Sequence, residues 1–196
     1  MPDNIVLLVY NVENLNAATA MGNALQHAHF KVDYFGLSPD TIGKDTYAQI
    51  NARTEPVIIL ISDNFLKSEA GMEQALSTIQ DLHRHNRLIP VITDGIHYNE
   101  RTGLVTNITT SFERVSNVIQ YMNFWQDRYL ELRKIKKDPG TTEEDHHNEQ
   151  IKSVRAISTE IGELLRFLRS IDCYHYDDLA AYHFNSLMQL LKKGET

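Results

Sequence analysis

Cysteine is nearly absent from this chain. Cys173 stands alone, which excludes an internal disulfide and any zinc site built from several thiolates. Glycine-rich phosphate loops are missing as well. No G-x-G-x-x-G and no Walker lysine occurs, so neither a dinucleotide fingerprint nor a P-loop is present, and no G-x-S-x-G elbow marks a hydrolase serine. No apolar run approaches the roughly 18 residues of a membrane span. Positive charge is short: 19 Lys and Arg against 26 Asp and Glu leave a net charge of −7. That excludes a sequence-independent grip on nucleic acid or on an anionic membrane, since both need a positive field. The start, "MPDNIVLLVYN", carries Asp where a signal peptide needs Lys or Arg. The expectation is a cytoplasmic protein with no cofactor and no metal, as no spacing of His, Cys, Asp or Glu demands one.

What is present is a rhythm. "NIVLLVY" (4–10), "VIILIS" (57–62) and "RLIPVIT" (87–93) are apolar runs of strand length, suited to strands covered on both faces. "KVDYF" (31–35) alternates like a shorter strand. Between them, residues 14–30, 44–53 and 68–85 repeat apolar side chains at helical spacing. Four strands separated by helices within about 93 residues predict parallel pairing through right-handed crossovers. The expected fold class is α/β: a flavodoxin-like three-layer sandwich with a five-stranded parallel sheet of order 2-1-3-4-5. Extra C-terminal helices follow it.

Past Thr93 the pattern loosens. Residues 94–117 read as a polar surface insert. "VIQYMNF" (118–124) reads as a fifth, edge strand, with a helix from about Gln126. Residues 138–149 hold five acids and no Lys or Arg, and Pro139-Gly140 suggests a break, so this stretch reads as an acidic linker. Residues 145–171 then form a strongly amphipathic helix, and 172–196 a helical extension to a domain spanning 1–171.

In a doubly wound sheet the ligand crevice opens where the strand order reverses, at the carboxyl ends of the first and third strands. Those ends supply Asn11 and Glu13 from one side, and Ser62, Asp63 and Phe65 from the other. Ser68 opens the next helix.

The elbow itself carries a resemblance. "VIILISDNFLKSEAGMEQAL" followed by "RLIPVI" resembles the Toll/interleukin-1 receptor (TIR) domain family, bacterial members especially. There a strand ending in Leu-Ser meets a Phe-Leu-x-Ser turn, then a helix and an Ile-Pro-Val strand. "NIVLLVYN" is similar to the family's first box, "GLSPDTIG" to its loop after strand 2, and "NFWQ" (123–126) to its third box. The resemblance covers roughly residues 4–170 and implies the same flavodoxin-like fold. It implies one of two activities. The first is a protein-interaction and signalling module that self-associates or binds a protein partner through Pro39, Asp40 and neighbouring helices; Phe124 and Trp125, as large aromatics, read first as a core anchor and second as an interface contact. The second is cleavage of the nicotinamide-ribose bond of NAD⁺, as substrate, by a glutamate on the helix after strand 3. The family's Trp-Cys pair is Ala70-Gly71 here, which puts the catalytic position on Gln74. An amide can neither take a proton nor stabilise positive charge as a carboxylate does. Glu73, one residue away, and then Glu69 are the candidate replacements. The binding module is the favoured expectation, the NAD⁺ glycohydrolase the alternative.

Overall fold

A computed structural model describes residues 4–99, 101–135, 140 and 142–193 of the chain. The apolar runs form the strands that their composition predicts. These are β1 (Ile5–Asn11), β2 (Lys31–Leu37), β3 (Val57–Ile61) and β4 (Leu88–Ile92). β1 pairs in parallel with β2 and β3, and β3 with β4. The crossovers are α1 (Leu15–His27), α2 (Gly43–Asn51) and, after β3, three helical pieces: α3 (Asp63–Leu66), α4 (Glu69–Met72) and α5 (Ala75–Arg84). Side chains alternate across the pleat. Leu7, Val9, Val57, Ile59 and Ile61 point to one face, while Val6, Leu8, Ile58 and Leu60 point to the other. Each face is covered, which gives the three-layer α/β sandwich.

The rest of the chain departs from expectation in four places. β5 (Gly95–Asn99) pairs antiparallel with β6 (Leu104–Ile108) as a hairpin, where a polar loop was expected. "VIQYMNF" is no strand; it lies inside α6 (Val115–Lys134), whose buried Tyr121, Trp125 and Leu132 follow helical spacing. The sheet's fifth strand is β7 (Tyr174–His175), parallel to β4, so the order is β2-β1-β3-β4-β7. The acidic linker is mostly the first turns of α7 (Thr142–Leu168), where Glu143, Glu144 and Asp145 favour the positive end of the helix dipole. The break expected at Pro139 and the start of that linker at Asp138 lie outside the described residues.

The helical extension packs on the sandwich. β7 extends the sheet. α8 (Tyr176–Ala181) and α9 (Asn185–Lys193) bring Leu179, Phe184, Leu187 and Leu191 onto the face that α1 covers. α6 and α7 pack on the opposite face through Tyr121, Trp125, Val154, Ile157, Ile161 and Leu164. No helix among the described residues is long and apolar enough to cross a membrane.

Candidate functional site

The carboxyl ends of β1 and β3 open into one cleft of about 700 Å³, within the range of small-molecule sites. Asn11 and Asp63 both line it, as the parallel alignment of their strands requires. Three further pieces complete the walls: the hairpin with Ile96, His97 and Ile108, α6 with Phe124, Trp125, Arg128 and Glu131, and α7 with Gln150.

Several polar groups of the floor are matched by their neighbours. Asn11 is buried and its Oδ1 accepts the Glu13 N–H at 3.1 Å. Ser62 caps α3 by accepting the Phe65 N–H at 3.0 Å. Asp63, also buried, is engaged on three sides. Its N–H donates to Thr110 Oγ1 at 2.7 Å, Tyr121 donates its hydroxyl to Oδ1 at 3.0 Å, and Lys67 Nζ lies 2.9 Å from Oδ2. Burial, and then the neighbouring Asp63 carboxylate, push the Tyr121 phenol well above its usual range, so it is a fixed donor. Lys67 also lies 5.6 Å from the Phe124 ring centroid, within cation–π reach. Trp125 is fully buried and donates Nε1–H to the Leu66 carbonyl at 2.9 Å, which locks α6 to the elbow. Asn64 fixes the hairpin: its amide donates to the Ile96 carbonyl at 2.9 Å and accepts the Ile96 N–H at 2.6 Å. Gly95 permits that approach, since a Cβ there would sit 2.7 Å from Asp63 Cβ.

The elbow acids divide. The single helix expected over residues 68–85 is broken at Glu73 and Gln74. Glu73 is extended (φ −62°, ψ 114°) and Gln74 is left-handed (φ 63°). Glu73 turns out of the cleft and accepts the Lys44 N–H at 3.2 Å, at the start of α2, whose own N-cap Ile42 offers no side-chain acceptor. Gln74 is exposed and lines no part of the cleft. Glu69 does line it. Both its oxygens accept from Gln150 Nε2 at 3.0 Å, and Arg128 Nη2 lies 3.5 Å from Oε1.

Of the residues expected at the cleft, Asn11, Glu13, Asp63 and Ser68 line it, and Ser62 and Phe65 are buried without lining it. Pro39 stands at its edge. Asp40 is exposed beside Pro39 but is not part of the lining. Phe124 and Trp125 face the cleft and core, so Trp125 offers no outer contact surface. Sequence reasoning missed Lys67, His97, Arg128 and Gln150. The last three come from distant elements, and no spacing signature joins them to the elbow. Among the described residues no group of three or more His, Cys, Asp or Glu is placed to hold a metal ion. Cys173 is half-buried and its thiol is pushed up to about 11, chiefly by burial, so it is a poor nucleophile.

Fold and site together define a flavodoxin-like α/β protein with a polar cleft at its topological switch point. Neither a family model nor a curated protein sequence matches the chain.

Proposed function

We propose that this chain is a TIR-like signalling module that works in the cytoplasm by binding protein, itself or a partner, and does not cleave NAD⁺. One observation carries the reading: every elbow carboxylate already has a structural partner. Glu73 holds the start of α2, Asp63 holds Tyr121 and Lys67, and Glu69 is held by Gln150 and Arg128. A general base or an oxocarbenium stabiliser must keep its charge available to the substrate, and an acid that two side chains already hold is a poor one. The position the family resemblance assigns to catalysis, Gln74, carries no acid and faces away from the cleft. The test is sedimentation velocity of the chain over a wide concentration range, with capture of partners by the immobilised chain. Concentration-dependent assembly or a specific partner supports the reading. A chain that stays monomeric and retains nothing contradicts it.

A second reading rests on the cleft. Its volume suits a nucleotide, and Glu69, with its side chain 32% exposed, lies within it. If NAD⁺ displaced Gln150, Glu69 would be the acid facing the ribose. Nicotinamide release that disappears in Glu69→Gln would establish this reading, and release unaffected by that change would remove it.

A further inference from the structure

α6 has two apolar faces. One packs inward through Tyr121, Trp125 and Leu132. The other, Val115, Ile119 and Met122, repeats at i, i+4, i+7 and stays 66%, 48% and 41% exposed. This second stripe lines an open groove of about 480 Å³ between α6 and α7. Gly162 forms the α7 side of its floor; a Cβ there would meet Met122 Sδ at 3.3 Å. Glu163, Arg166 and Arg169 flank the groove, and within the described residues the side chain of none of the three has an ion-pair or hydrogen-bond partner.

We infer that the α6–α7 groove is a self-association surface, occupied by the same groove of a second copy about a two-fold axis. The inference rests on the binding-module reading and names the partner and surface for it. The groove is self-complementary. A two-fold interface sets each patch against itself, so it must offer both members of every pair. This groove does so. The α6 stripe supplies apolar surface to both sides, and its margin carries an unpaired acid next to two unpaired bases. With the two α6 helices antiparallel, Glu163 of one copy meets Arg166 or Arg169 of the other. A purely basic or purely acidic margin would repel itself. Size sets the strength. The α6 stripe runs over residues 115–122, about 12 Å of helix, and two helices side by side are about 20 Å wide. That face is on the order of 250 Å², well below the roughly 800 Å² per partner of a standard stable interface. The dimer is therefore weak and forms only at raised concentration.

Sedimentation velocity of the full chain and its variants tests this. The chain should dimerise in the upper micromolar range. Ile119→Asp should weaken dimerisation roughly 10-fold or more. Arg166→Glu with Arg169→Glu should weaken it similarly, because like charges then face each other. Adding Glu163→Arg to that pair should restore it to within about 3-fold, the residue being non-additivity. All the charge changes are on exposed positions, so they report even if Ile119→Asp fails to fold. A dimer untouched by the charge changes, or not rescued, overturns the surface and leaves the binding module standing. A chain monomeric throughout overturns self-association as well.

Discussion

Glu73 and Gln74 occupy the sharpest bend of the elbow, and both have consequences for stability. Glu73 provides the acceptor that the start of α2 lacks, so Glu73→Ala should cost about 1 kcal/mol, as loss of a cap does. In a chain of this size that lowers the melting temperature by about 2–4 °C, measurable by thermal denaturation. Gln74 holds φ 63°, where an L side chain crowds its own carbonyl. Gln74→Gly should therefore stabilise the chain by about 0.5–1 kcal/mol in urea unfolding, despite the greater freedom glycine gains when unfolded. A third residue adds a pH dependence. Glu55 accepts two hydrogen bonds from Arg53, which also reaches Asp33 on the edge strand. The hydrogen bond from Arg53 leads in holding the Glu55 carboxyl down at about 2, from an ordinary 4.5. A carboxyl with a depressed folded value contributes its stability above pH 4.5 and loses it as pH falls towards 2. Glu55→Gln should cost at most about 1 kcal/mol near neutrality and flatten the acid limb between pH 4.5 and 2, in urea titrations at stepped pH.

At the scale of elements, the departures from expectation share a cause. α6 reads as a strand over residues 118–124 because apolar side chains occupy two of its faces, which fills in the gaps that would mark a helix. Its inner face is decided by the tertiary anchor of Trp125 on Leu66, and nothing in a local window reports that. β7 has two residues and pairs with a strand more than 80 positions away, too short for periodicity to register. The strands β1, β3 and β4 were legible because burial on both faces forces an unbroken apolar run. Asn64 ties β5 to the elbow by two bonds to Ile96, beside the Asn14 bond to the Asp94 carbonyl and the Asp63 bond to Thr110 at the hairpin's two ends. An isolated two-stranded hairpin is marginal in water. Asn64→Ala should speed amide exchange in β5 and β6 and leave β1 and β3 protected, as hydrogen-exchange mass spectrometry would resolve. Uniform acceleration across the sheet would contradict that local role.

At the scale of the molecule, the sheet order dictates where a site can lie, and this much was readable beforehand. Asn11, Glu13, Asp63 and Ser68 fall in the cleft because the ends of parallel neighbours must share a rim. The partners that determine what the cleft can do were not readable. Gln150 and Arg128 hold Glu69 from α7 and α6, 81 and 59 positions along the chain. They engage Glu69, which with Asp63 is one of two elbow acids lining the cleft. Whether Glu69 is available to a substrate decides between binding and catalysis. Incubating the concentrated chain with NAD⁺ and following nicotinamide is the most direct measurement. The prediction is no release above the rate in buffer, for the chain and for Glu69→Gln alike. Steady release by the chain that vanishes in Glu69→Gln would contradict it.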